Sequence, residues 1–248
     1  MRRINGIRGK TMIEPIADYK GRNCVVFGAS SLVGREIGRH LARHGVNLCL
    51  IDLGPYRHDG LVEKVRESGS EARVIHQTVA SGDEDGFKRV VGEAVDEWGS
   101  IDYLVCAYYL EDEAESRALD DLSLDSWDEL LQGWVMNYFL VTRATFPHMI
   151  RGEKGRVVFV NTSTGYTGEG EGEGEITMGG SIHESACSSA VTGMMTSIAR
   201  DIIPRGVSVN GIALGPNYEN DMDRVIWATD FWLSGMCEYA CGQILRLY

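Results

Sequence analysis

Cys24-Val25-Val26-Phe27-Gly28-Ala29-Ser30-Ser31-Leu32-Val33-Gly34-Arg35-Glu36-Ile37-Gly38 is the stretch on which the reading of this chain turns. Its first four residues are an uninterrupted apolar run, the pattern of a strand buried on both faces, and Gly34, Ile37 and Leu41 then set a helical spacing. Gly28 lies where the chain turns between the two. Strand, glycine turn and helix in this order open a dinucleotide-binding α/β domain, whose pyrophosphate rests on free backbone N–H groups at the helix N-terminus. Phosphate touches backbone only where side chains are absent, so such turns carry glycine at the points of contact. Between Gly28 and Gly34 this one carries no further glycine.

Downstream, Val46 to Ile51 reads as a second buried strand ending at Asp52. A carboxylate there accepts hydrogen bonds from the adenosine ribose of NAD and repels the extra phosphate of NADP. Asp52 reads equally as a turn-capping residue ahead of Gly54-Pro55.

The composition sets bounds on the rest. The chain has 248 residues, of which 44% are hydrophobic, enough for one large α/β domain over residues 19–248 behind a basic arm, residues 1–18. A formal net charge of −12 argues against a nucleic-acid surface. No apolar run approaches the roughly 20 residues of a membrane span, and no signal peptide is read, so a cytoplasmic protein is expected. The arm, with Arg2, Arg3, Arg8 and Lys10, reads as a solvated tail, with docking on an acidic partner as the alternative. The six cysteines show no metal-ligand spacing, and Cys24, Cys49 and Cys106 fall in strand-like runs as small buried hydrophobes. Gly168 to Glu175, GEGEGEGE, reads as a mobile acidic loop, and no metal site is expected there.

Further strands are read at Arg73–Thr78, Ile101–Val105, Arg156–Asn161, Val207–Ala213 and Gly242–Leu247, with helices at Leu61–Ser68, Phe87–Trp98, about Trp127 to Met149, and from Glu184. This alternation is that of a parallel sheet with helices on both faces. The motifs that punctuate it are Gly28-x-x-x-Leu32-x-Gly34, Cys106-Ala107-Tyr108-Tyr109, Asn137, Thr162 ahead of Gly165, and Glu184-Ser-Ala-Cys-Ser188-Ser-Ala-Val-Thr-Gly193. In order and spacing the chain resembles the short-chain dehydrogenase/reductase family from about Tyr19 onward. The resemblance implies a single-domain, Rossmann-like, doubly wound parallel sheet, with a substrate lid truncated between Gly215 and Phe231.

Set against the family's patterns, the site residues are changed one after another. Leu32 replaces the middle glycine of G-x-x-x-G-x-G, and Thr78 an Asp that bonds adenine. Tyr108 and Tyr109 replace the Ala and Gly of N-N-A-G, where rings fill space the nicotinamide-side ribose needs. Thr162 stands for the catalytic Ser, and Glu184 and Ser188 for the Tyr and Lys of Y-S-A-S-K. That chemistry needs a phenol to pass a proton to or from a carbonyl or alcohol oxygen, and an ammonium one helical turn on to lower the phenol's pKa. With a reference pKa of about 4.3, an exposed Glu is acceptor-only at neutral pH. Asn137, which in the family kinks its helix and holds a relay water, keeps a structural role.

Gly28, Leu32, Gly34, Asp52, Tyr108 and Tyr109 are therefore expected to be a vestigial cofactor site, and Asn137, Thr162, Glu184 and Ser188 a degenerate catalytic set. The family joins subunits through the helix that here carries the apolar band Leu130, Leu131, Trp134, Val135, Tyr138, Phe139 and Thr142. The resemblance thus implies a non-catalytic subunit, binding no cofactor itself. It would pair with a homologous catalytic subunit that holds NAD, as a dimer of heterodimers. Two other readings stand beside it: an unusual enzyme using Glu184 as base and Thr162 as donor, and a metabolite-binding sensor.

Overall fold

The computed structural model describes residues 18–54, 60–67, 72–108, 119–120, 122–150, 155–164, 182–215, 218–237 and 239–247. The basic arm before residue 18, Tyr109 and the acidic repeat Gly168 to Glu175 lie outside the described residues. Seven strands form one parallel sheet: β1 (Asn23–Phe27), β2 (Asn47–Leu53), β3 (Val74–Val79), β4 (Tyr103–Cys106), β5 (Arg156–Thr162), β6 (Ser208–Leu214) and β7 (Ile244–Leu247). Their order is β3-β2-β1-β4-β5-β6-β7. β1 pairs on one side with β2, Phe27 against Ile51, and on the other with β4, Phe27 against Cys106. The chain therefore reverses its direction of winding beside Gly28, the position at which open α/β sheets place ligands.

Strands covered on both faces must be apolar throughout, and β1, β4, β5 and β6 are buried along their whole length. On one face lie α3 (Glu84–Trp98), α5 (Asn137–Met149) and α6 (Ile182–Ile202), which contribute Phe87, Val90, Tyr138, Val141, Val191 and Met195 to one core. On the other lie α1 (Leu32–Arg43), α2 (Leu61–Arg66) and α7 (Met222–Leu233), with Ile37, Leu41, Leu61, Val65, Val225 and Trp232.

Helix starts follow local chemistry. Ser31, Asp83 and Ser123 each accept the N–H of the residue three further on, capping α1, α3 and α4 (Leu124–Leu130). The long helix expected from about Trp127 to Met149 starts at Leu124 and is not uniform. Residues Leu131–Met136 form a π-helical segment between α4 and α5. The Asn137 amide donates to the carbonyls of Gln132 and Gly133, and its oxygen accepts the N–H of Gly82. A side chain thus takes up carbonyls that the widened turn would strand, a recognised cause of a helix kink. After β6, only residues 215–221 precede α7, which agrees with the short lid segment read from the sequence.

Candidate active site and its nucleotide end

Gly28 adopts φ +78°, and a Cβ there would collide with the backbone of Ala107 and Tyr108; a Cβ at Gly34 would collide with the Gly28 carbonyl. Both glycines are therefore required by the approach of β1, β4 and α1, whatever the turn binds. Ser31 Oγ accepts the Gly34 N–H at 2.9 Å and points its proton at the carbonyls of Gly28 and Ala107, both at 2.8 Å. Leu32 is half-buried and packs on the α1–α7 core, as does the buried Tyr218 that follows β6.

Asp52 lies where the sequence places it, at the C-terminal end of β2, but it faces inward with 2% of its surface exposed. One carboxylate oxygen accepts the Ser30 N–H at 2.7 Å; the other accepts the Ser30 hydroxyl at 2.6 Å and His76 Nε2 at 2.9 Å. His76 comes from β3, two residues before Thr78 and on the same face of the strand. Three donors of the chain itself thus engage this buried carboxylate.

At the end of β4 the Tyr108 ring stacks on Phe27, centroids 5.3 Å apart, and is buried in the α3–α5 core. The Tyr138 hydroxyl sits within 2.9 Å of the carbonyls of Cys106, Tyr108 and Val160, pinning α5 to β4 and β5.

At the catalytic end, Thr162 and Ser188 come together and Asn137 does not join them. Ser188 is fully buried, and its hydroxyl donates to the Thr162 carbonyl at 2.9 Å. Thr162 Oγ1 shares a hydrogen bond with Thr164 Oγ1 at 2.7 Å. Asn161, beside it, donates to the Ser188 carbonyl and to Thr192, tying β5 to α6. Glu184 is half-buried one turn before Ser188, and α6 carries no Lys or Arg before Arg200. The Cys187 thiol is pushed up to about 11, first by burial and then by the Glu184 charge, so it is no nucleophile at neutral pH. Asn137 is instead tied to Ser81 and Gly82 in the loop after β3.

Sequence reading missed two buried clusters. One is His76 on Asp52. The other lies at the opposite end of the sheet, where Tyr19 donates to Asp230 at 2.8 Å and His40 Nε2 meets both Asp230 oxygens at 3.0 Å. The available signal was Asp230 itself, a carboxylate inside the apolar run Val225 to Leu233. Among the described residues, no group of three or more His, Cys, Asp or Glu could hold a metal ion, and no helix is long and apolar enough to cross a membrane.

Comparison with known proteins agrees with this architecture. The family described as short chain dehydrogenase matches residues 22–230. A 3-oxoacyl-[acyl-carrier-protein] reductase of Staphylococcus epidermidis is 27% identical over 195 residues, 78% of this chain and 74% of that protein. A peroxisomal hydratase-dehydrogenase-epimerase of Neurospora crassa is 26% identical over 93% of this chain and 23% of its own length. Among solved structures, a short chain dehydrogenase from Mycobacterium paratuberculosis bound to NAD superposes with a TM-score of 0.80 at 18% identity, covering 93% of this chain and 97% of that one.

Proposed function

The chain belongs to the short-chain dehydrogenase family, and we propose that within it this protein is a non-catalytic subunit of an NAD-dependent alcohol dehydrogenase complex, whose cofactor and proton-transfer groups come from a homologous partner. The observation that carries the reading is the Glu184–Ser188 turn of α6. The family's phenol and ammonium are absent from it, and the Ser188 hydroxyl is committed to the Thr162 carbonyl. The engaged Asp52 supports the same reading for the cofactor end, whereas the Tyr108 ring lies in the core on Phe27 and adds nothing to it.

The outer side of the π segment and α5 supports the partner. Leu131, Met136 and Phe139 are 37%, 41% and 41% exposed, while Leu130, Trp134 and Tyr138 fill the core. The apolar band read from the sequence thus divides into a buried stripe and an exposed one, which Met136, outside that band, extends, and the exposed stripe suits a homologous subunit.

For the reaction, the reading is oxidation of a β-hydroxyacyl-CoA to the β-oxoacyl-CoA by the partner. The sequence resembles the degenerate subunit of 2-[hydroxy(phenyl)methyl]succinyl-CoA dehydrogenase of anaerobic toluene degradation, and the named relatives include a 3-oxoacyl-[acyl-carrier-protein] reductase. The test is purification of the chain alone and co-expressed with intact dehydrogenases encoded near it, assayed for mass, NAD binding and alcohol oxidation. Stoichiometric co-purification with an active partner, and a silent isolated chain, is the expected result; NAD-dependent turnover by the isolated chain overturns the reading.

A further inference from the structure

The Ser30–Asp52–His76 cluster bears on how the nucleotide end is kept shut, and the inference rests on the reading that this chain binds no NAD. A carboxylate holds a ribose diol by accepting one hydroxyl on each oxygen. Here both oxygens already accept protein donors, three bonds in all, between 2.6 and 2.9 Å. The side chains of Asp52 and His76 are 3% and 4% exposed, so water does not compete with those bonds, and with one acceptor site left, on the oxygen that takes the Ser30 N–H, a ribose diol could form both of its bonds only by displacing at least one of them. Two of the donors come from Ser30, in the glycine turn itself, which makes them part of the fold of the turn. The third is separable: His76 belongs to a different strand, and its imidazole is the one donor that could be withdrawn without altering the turn's sequence.

We propose that His76 closes the ribose end of the cleft from within, taking the Asp52 carboxylate that a nucleotide's ribose would bind, so that the chain's own side chains hold the glycine turn in the place of a dinucleotide. Leu32, at the position the resemblance gives to the family's middle glycine, is a separate difference at the pyrophosphate end, and its side chain packs on the α1–α7 core at the first residue of the helix. Reopening the site to a nucleotide therefore takes two changes, and the effect of the second depends on Asp52.

The test is calorimetric titration of the full chain with ADP-ribose, which carries the pyrophosphate and adenosine ribose without the reactive nicotinamide. Leu32→Gly, His76→Val and the double variant are compared with the wild type after circular dichroism has checked their fold. The double variant is expected to bind about tenfold more tightly than Leu32→Gly alone, the size of a hydrogen bond to a charged group. Adding Asp52→Asn should remove that gain. Equal affinity of Leu32→Gly and the double variant, or a gain that survives Asp52→Asn, overturns the role of His76. That result with a silent wild type leaves the subunit reading standing; a wild type that binds ADP-ribose and NAD sinks both. If the double variant does not fold, nitrogen-15 spectra of wild-type His76 decide the matter. An Nε2 proton sheltered from solvent exchange at pH 7 supports the closure, and an unprotonated or freely exchanging Nε2 overturns it.

Discussion

The fully buried Ser188 hydroxyl donates to the Thr162 carbonyl 2.9 Å away and joins α6 to the end of β5, at two positions that the resemblance aligns with the family's catalytic Lys and Ser. A hydroxyl donating to a backbone carbonyl holds elements together; it carries no charge that could lower another group's pKa. Ser188→Ala should therefore cost about 1 kcal/mol of stability, the net worth of one such bond, read by urea unfolding of the full chain. In the assembled complex the same variant should leave kcat within a factor of about two. A hundredfold loss of kcat with the fold intact would return Ser188 to the catalytic machinery.

Glu184 separates the subunit reading from the unusual-enzyme reading, because it is the titratable residue that replaces the family's phenol and lies within one turn of Ser188. If it were a general base with Thr162 as donor, the isolated chain would turn over some substrate, and Glu184→Gln would lower kcat by about a hundredfold or more. The expectation is that the isolated chain shows no turnover and that Glu184→Gln changes neither the activity of the complex nor its pH profile. A pH profile that loses its acidic limb in the variant would reverse the assignment.

Stability should fall on the alkaline side, and the sign follows from the buried acids. Burial pushes the Cys49 thiol up to about 12 and the Cys24 and Cys106 thiols well above their usual value, while Cys187 rises to about 11 and Tyr103 to about 12. Tyr19 is raised as well, by burial first and then by the Asp230 charge. Each group holds its proton more tightly folded than unfolded, so the unfolded chain releases protons first as pH rises. The contribution is complete below the thiols' unfolded pKa of about 8.5 and is lost progressively toward pH 12. Urea midpoints measured from pH 7 to 11 should decline above about pH 8.5, and Cys49→Ala should flatten the decline relative to its own value at pH 7.

How much of this was legible in the sequence depended on whether a residue's role is set by its neighbours in the chain. The strands were visible because β1, β4, β5 and β6 are buried on both faces and must be apolar runs. Leu32, Glu184 and Ser188 stood out only through the resemblance, at fixed offsets from the retained Gly28 and Gly34 and from Ala186, Ala190 and Gly193. Asp52 was placed correctly, yet its partner was not, since His76 reaches it from 24 residues away on the neighbouring strand. The irregularity of this helix was read only as the kink that the resemblance gives Asn137; its π-helical form shows in the bonds from Asn137 to Gln132 and Gly133.

Asp230 should be among the most costly positions to alter. Its fully buried carboxylate receives Tyr19 at 2.8 Å and meets His40 at 3.0 Å, which links the segment before β1, α1 and α7. Removing the shared acceptor strands two polar groups at once, so Asp230→Ala should cost about 3 kcal/mol or more, while Tyr19→Phe, which removes one donor and leaves His40 paired, should cost about 1.5 kcal/mol. The ratio of the two losses is the readout: equal losses in urea unfolding would mean that His40 contributes nothing to holding the carboxylate.

The exposed stripe of the π segment and α5 is where the partner subunit is expected to pack. Leu131, Met136 and Phe139 face outward, and the Arg143 guanidinium lies 6.0 Å from the centre of the Phe139 ring, giving the apolar surface a cationic edge. Phe139→Asp puts a charge where a partner helix would pack, and in the complex that charge has no solvent. In the isolated chain the same residue is 41% exposed, so the substitution should cost only about 1 kcal/mol of stability. Against the partner, loss of one central aromatic anchor should cost about 2 kcal/mol, close to thirtyfold in Kd. Sedimentation of the mixed subunits reads the second quantity and urea unfolding the first. A variant that is stable alone and fails to assemble places the partner on this helix; one that assembles normally moves the interface to another face of the molecule.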